Sequence, residues 1–212
     1  MTSFAAARER MVTRRIAARG IDNPALLAAF RAVPRELFVS PEQAHSAYDD
    51  RALPIAARQT ISQPYIVALM IAAAEVGPQD HVLEVGAGSG YAAAVLGLVA
   101  GSVIAIERHG ELAQLAAERI ARLGYANVRI VEGDGILGWP EAAPYDAILA
   151  AAGGGRVPQP LVDQLKPGGR LVMPLGGRWL GQTLVKLTKR DDGSIARTPL
   201  CAVRFVPLVG AE

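Results

Sequence analysis

Strand-like and helix-like stretches alternate along the chain from Pro64 onward. An apolar helix over 64–75 leads into HVLEV (81–85), a near-continuous apolar run short enough for a strand buried on both faces. A helix over 91–99, the strand SVIAIE (102–107), a helix over 111–123 and the strand NVRIVEG (127–133) follow. YDAILAA (145–151) reads as a fourth strand, 158–165 as a short helix and GRLVMP (169–174) as a fifth strand. QTLVKLTK (182–189) and CAVRFVPL (201–208) close the chain with no helix between them. The turn-rich RDDGS (190–194) that separates them suits a hairpin-like return. Parallel strands need crossovers, and helices of this length supply them. The pattern predicts an α/β fold with a doubly wound, mostly parallel, seven-stranded sheet.

Ahead of the sheet the sequence reads as short helices. One spans 3–19 and ends at Gly20, a good C′ residue; a second opens at Asp22–Pro24 and runs through Ala32. SPEQA from Ser40 repeats that signature, with a serine cap, a first-turn proline and an acid near the positive end of the dipole. A loop is expected from Tyr48 to Gln63. Residues 1–63 therefore form an N-terminal helical extension and a loop packed on a core over 64–212, within one domain overall, and the helices are expected to cover the ligand site. With 51% hydrophobic and 20% charged residues in 212, apolar surface is ample for a core.

Several chemistries are excluded early. A lone cysteine, Cys201, allows no internal disulfide, and His45, His81 and His109 match no ligand spacing, so no metal site is expected. A net charge of +2 is too small to argue for nucleic acid. No run of 18 apolar residues exists to span a membrane, and residues 1–20, with five arginines among alanines, are too charged for a secretory leader. These features point to a reducing, cytoplasmic setting, with no nucleic acid or membrane as partner. A monomer is expected, although the residues themselves do not argue the oligomeric state.

LEVGAGSGY (83–91) sits between a strand and a helix, where small residues expose backbone N–H groups at a helix N-terminus. The dinucleotide fingerprint G-x-G-x-x-G would need glycine where this chain has Tyr91, after Gly86 and Gly88, with Ser89 and Gly90 between. Glu84, two residues before Gly86, would repel a pyrophosphate but suits a ligand with ammonium and sulfonium groups. Glu107 ends the next strand, where a carboxylate can accept both ribose hydroxyls, and GDG (133–135) ends the third, where Asp134, with Gly135, could meet an adenine amino group. Alone, each has a bland reading: a tight turn, a solvated strand end, a turn cap. Three at successive strand ends favour an S-adenosylmethionine site over an NAD site.

Taken with VPRELFV (33–39), AYDDRALPI (47–55), QTISQPYIVALM (59–70), QLKPGGRLVMPLG (164–176) and VRFVPLVG (203–210), this loop resembles the protein-L-isoaspartate O-methyltransferases. The glycine loop is common to many methyltransferases; QTISQP and RFVPL are specific to this family. The resemblance implies a Rossmann-like methyltransferase sheet. It also implies methyl transfer from S-adenosylmethionine to the α-carboxyl of L-isoaspartyl residues in damaged proteins and peptides, which are the expected partners. It makes Ser62 the active residue and Thr60, Ile61 and Gln63 part of the peptide site. The chain departs from the family at Ala57–Arg58, where bacterial members usually have small residues or glycine, at Ile71, and at the triplet Gly153–Gly155, which suggests a more mobile loop. The Ala57–Arg58 change and the triplet keep alive a non-catalytic or differently specific S-adenosylmethionine-binding member.

Read from residue pattern alone, Ser62 is a cap for the helix at Pro64. The resemblance reverses that order. A carboxylate acceptor is already ionised near neutral pH, with reference values of about 3.3–3.7, so no general base is needed. One hydroxyl donor can hold one oxygen and leave the other to attack.

Overall fold

The structure, a computed structural model, describes residues 3–177 and 181–210. Helix α1 (Phe4–Met11) is capped by the Ser3 side chain. It continues through a π-wound stretch, Val12–Ile16, and a 3₁₀ turn to Gly20 at φ +90°. Helix α2 (Pro24–Ala32) is capped by Asn23, whose Oδ1 accepts the Leu26 N–H at 3.1 Å. Ser40 differs from expectation: Pro41–Ser46 is a 3₁₀ segment and the serine makes no capping bond. Two short antiparallel strands, β1 (Leu53–Pro54) and β2 (Thr60–Ile61), form a small hairpin in the stretch read as loop.

Helix α3 (Pro64–Ala73) and strand β3 (His81–Val85) open the core, followed by α4 (Tyr91–Gly97), β4 (Ser102–Glu107), α5 (Gly110–Arg122) and β5 (Val128–Glu132). Strand β6 (Tyr145–Ala150), the short α6 (Gln159–Asp163) and strands β7 (Leu165–Gly177), β8 (Gly181–Lys189) and β9 (Ile195–Val203) complete it. The seven-stranded sheet runs β5-β4-β3-β6-β7-β8-β9, parallel from β5 to β7 and antiparallel at β8 and β9. β3, β4 and β6 are buried almost throughout because helices cover both faces, which is why their sequences carry no polar alternation. Helix α5 shows the complementary pattern, with Leu112, Ala113, Ala116 and Ile120 buried along one stripe.

The last strand is a correction. It spans 195–203 rather than 201–208, because the turn closes through Arg190 N–H to Ser194 O at 2.8 Å and pairing begins at once, Lys189 opposite Ile195. Pro199 is tolerated because β9 is an edge strand with a register shift beside it. Residues beyond 203 instead leave the edge and cross the sheet rim, where Gly153 N–H donates to Val206 O at 2.8 Å and Leu208 N–H to Gly153 O at 2.7 Å. Gly154 is held similarly, by its N–H to Pro174 O and by Gly176 N–H to its own carbonyl. The expected mobile triplet is thus mostly a place of close approach: a Cβ on Gly153 would meet Gln182 Nε2 at 2.4 Å, and only Gly155 has open space.

The N-terminal helices are a second correction. Met11, Val12, Ile16, Leu26 and Phe30 pack in one cluster with Val67, Ala94 and Val95, so the helices lie against α3 and α4. Their apolar stripes are spent on that helix layer, where each large buried side chain is worth about 1.5–3 kcal/mol, and none of them reaches the cleft described below.

Candidate active site

Strand order reverses between β3 and β6, and this switch point opens a crevice at the carboxyl ends of the strands. The chain leaves β3 through Gly86, Gly88 and Gly90, at φ of +89°, +55° and +87°, a path that costs glycine nothing. Gly86 and Ala87 both donate to Ile106 O, at 2.8 and 2.9 Å, which folds the loop over the end of β4. A Cβ on Gly90 would stand 3.2 Å from the Ala116 Cβ, so the third glycine serves the packing of α5.

Glu107, buried at the end of β4, accepts the Gly88 N–H at 2.8 Å and the His109 N–H at 3.0 Å. Each carboxylate oxygen has a second lone pair, so the group retains capacity for ligand hydroxyls. Glu84, 3% exposed, lies one residue inside the end of β3, and its Oε2 is buried without a hydrogen-bond partner. Burial, and secondarily the charge of Glu107, pushes its pKa up to about 8. An orphaned carboxyl oxygen beside a cleft is what a cationic ligand group would satisfy.

The cleft holds about 380 Å³, within the range of small-ligand sites. Its walls include Glu84, Gly86, Gly88, Ser89, Glu107 and Gly135, with Thr60, Ile61 and Ser62 facing them. A second cleft of about 440 Å³ adjoins it and is lined by Gln63, Arg204 and Phe205; Thr60 and Ser62 border both. Gly90 and Asp134 line neither. The Asp134 Oδ1 accepts the Ile136 N–H at 2.9 Å, a turn-capping role, and Gly135 makes the cleft contact. Among the described residues no group of histidine, cysteine or acidic side chains could hold a metal ion.

Ser62 does not cap α3. Gln63 occupies the cap position, and the Ser62 hydroxyl makes no hydrogen bond among the described residues. Its carbonyl accepts from Arg35 Nη2 at 2.8 Å. Not evident from the sequence are the wall formed by Val206–Val209 and Tyr91 at the start of α4, and Arg35, which stands behind the loop on the Ser62 carbonyl. RFVPL was visible as a motif, but its path across the rim depends on pairing with Gly153.

Residues 6–212 match the family model described as protein-L-isoaspartate(D-aspartate) O-methyltransferase (PCMT). The chain belongs to this family. It is 56% identical over 211 residues to protein-L-isoaspartate O-methyltransferase 1 of Rhodopseudomonas palustris (strain HaA2), covering 100% of this chain and 86% of that relative. It is 54% identical over 205 residues to the protein-L-isoaspartate O-methyltransferase of Methylorubrum extorquens (strain PA1), covering 97% and 89%. A solved protein-L-isoaspartate O-methyltransferase superposes with a TM-score of 0.86 at 30% identity, over 96% of this chain and 66% of that longer one. A Plasmodium falciparum structure of a putative family member in complex with S-adenosyl-L-homocysteine has the same fold, with a TM-score of 0.82 at 24% identity over 99% of both chains. The Rossmann-like methyltransferase sheet expected for the family is therefore the sheet observed.

Proposed function

We propose that the chain transfers a methyl group from S-adenosylmethionine to the α-carboxyl of L-isoaspartyl residues in damaged proteins and peptides, the first step of their repair. The observation that carries this reading is Ser62 bordering both clefts, one lined by the glycine loop and two buried acids, the other lined by Gln63, Arg204 and Phe205. Family membership over 6–212 supports the donor and the acceptor class. The orphaned Glu84 Oε2 and the glycine-lined floor fit S-adenosylmethionine, with Glu84 facing its cationic end and Glu107 its ribose hydroxyls. When bound, that cofactor supplies a methyl carbon made electrophilic by sulfonium.

The residues of the chain do the rest by placement. The Ser62 hydroxyl donates to one acceptor oxygen and leaves the other unencumbered, while Thr60, Ile61 and Gln63 hold the flanking peptide. Correct orientation of the acceptor against the methyl group can remove roughly 7–11 kcal/mol of barrier. The acceptor needs no general base, because its carboxyl is already ionised.

The same reading takes the chain as a monomer working in the cytoplasm. Burial raises the pKa of the single Cys201 thiol, which suits a protein with no thiol chemistry to perform. Among the described residues no helix is long and apolar enough to cross a membrane.

The deciding experiment pairs an isoaspartyl peptide with its aspartyl twin and methyl-labelled S-adenosylmethionine. Labelling confined to the isoaspartyl peptide is the expected result, and equal labelling of the pair overturns the acceptor assignment. Cofactor affinity measured on the same sample isolates the alternative of binding without turnover.

A further inference from the structure

A buried arginine stands directly behind the acceptor loop. Arg35 is 0% exposed, yet its partners among the described residues are two backbone carbonyls and an aromatic face rather than a carboxylate. Its Nε donates to Ala47 O at 2.7 Å and its Nη2 to Ser62 O at 2.8 Å. The guanidinium carbon lies 4.6 Å from the centroid of the Tyr91 ring. Tyr91 is itself buried, follows the glycine loop without a break, and lines the cofactor cleft. One side chain therefore touches the N-terminal segment, the acceptor loop and the first turn after the donor loop.

Stability alone is a poor reason for this arrangement. A charge taken out of water without an ionic partner is costly, and an apolar side chain of similar volume often serves a core better. What arginine adds is a rigid planar fork whose donors leave at fixed angles, together with a flat face that stacks on an aromatic ring. The fork fixes the Ser62 peptide plane relative to Tyr91. The Ser62 Cα adjoins that carbonyl, so the fork fixes the point from which the serine side chain projects. Its hydroxyl, with no hydrogen bond among the described residues, can turn toward an acceptor.

We propose that Arg35 is a positioning residue for methyl transfer, holding Ser62 through its carbonyl at a set distance from the glycine loop. The inference rests on the reading of Ser62 given above. Displacement of a reacting group by about 1 Å can cost on the order of a hundredfold in rate. A lysine at this position keeps the charge but offers one compact ammonium, which cannot reproduce both carbonyl angles and the ring stacking.

The test is a kinetic cycle on the full chain with wild type, Arg35→Lys, Ser62→Ala and the double variant, assayed well below their melting midpoints. Arg35→Lys is expected to lower kcat by roughly thirtyfold or more, with peptide KM and S-adenosylhomocysteine affinity within about threefold of wild type. Because Arg35 acts through Ser62, the double variant should be no more than about threefold slower than Ser62→Ala alone. Losses that multiply in the double variant, or an unchanged kcat in Arg35→Lys with only a lowered Tm, overturn the proposal. If Ser62→Ala itself turns over normally, the reading of Ser62 fails instead, and the two failures are distinguishable. Should Arg35→Lys not fold, Arg35→Gln is assayed with saturating cofactor; failure of both to bind S-adenosylhomocysteine assigns Arg35 to stability and also overturns it.

Discussion

The Glu107 carboxylate reaches from the end of β4 to the backbone N–H of Gly88, 2.8 Å away, and ties the turn after β3 to the neighbouring strand. One acid thus both shapes the loop and faces the cleft. Replacing it with alanine leaves the Gly88 and His109 N–H groups without their acceptor and removes the expected partner of the ribose. Glu107→Ala should weaken S-adenosylhomocysteine binding at least tenfold, about 1.4 kcal/mol. It should also cost about 1–3 kcal/mol of stability from the freed donors. Titration calorimetry and urea unfolding measure the two effects, and wild-type affinity in the variant would remove Glu107 from the site.

Glu84 supplies a pH signature. Its folded-state pKa is pushed up to about 8, against an ordinary value of 4.5. Between those values the folded chain holds a proton that the unfolded chain has released. Stability of the ligand-free protein should therefore fall as pH rises through this window. Glu84→Gln should flatten that slope, and equal slopes for wild type and variant would contradict the assignment. A cationic ligand beside Glu84 favours its ionised form, so cofactor binding at neutral pH should release a proton. Calorimetry in two buffers of different ionisation enthalpy detects it; identical apparent enthalpies speak against that placement of Glu84.

The parts of this site legible in the sequence are those encoded locally. Gly86, Gly88 and Glu84 announce themselves by type and spacing at a strand end, and Glu107 by ending the next strand. Arg35 could not be read this way. It sits beside Glu36 in a stretch that resembles a surface ion pair, and its acceptors come from 12 and 27 residues away. Glu36 instead pairs with Arg8, at 3.1 Å, and accepts from the Tyr48 hydroxyl. The extent of β9 is hidden in the sequence for a related reason. Its residues include Pro199 and Arg197, polar and turn-like in isolation, and they form a strand because the edge of β8 is there to pair with. Asp134 shows the limit from the other side, since the same GDG sequence serves a turn cap and a cleft wall.

Ala57 and Arg58 both adopt left-handed backbone, at φ +54° and +56°, in the turn between β1 and β2. A side chain in that region costs roughly 1–2 kcal/mol per residue relative to glycine, partly offset by the greater freedom glycine has when unfolded. Ala57→Gly is therefore expected to stabilise the protein by about 0.5–1 kcal/mol, read as a rise in Tm. A fall in Tm would show that the turn is not strained. Turnover of the isoaspartyl peptide measured alongside tells whether stiffness of this turn, which borders the cofactor cleft at Arg58, limits the rate.

Gly135 fills a gap that no larger residue can. A Cβ there would lie 2.3 Å from the Cγ1 of Val85, although the backbone is not left-handed and would itself accept alanine. Val85 is 1% exposed and ends β3, and its branched side chain has little rotamer freedom to retreat. Gly135→Ala should thus cost about 1–3 kcal/mol through overpacking and push the chain into the floor of the cleft, lowering cofactor affinity. Val85→Ala alone should also destabilise, by leaving a cavity. Combined, the added methyl occupies the space the valine vacates, so the double variant should be more stable than the sum of the single losses by at least about 1 kcal/mol. Urea denaturation of the four proteins decides it, and strictly additive losses would mean that the two side chains do not compete for one space.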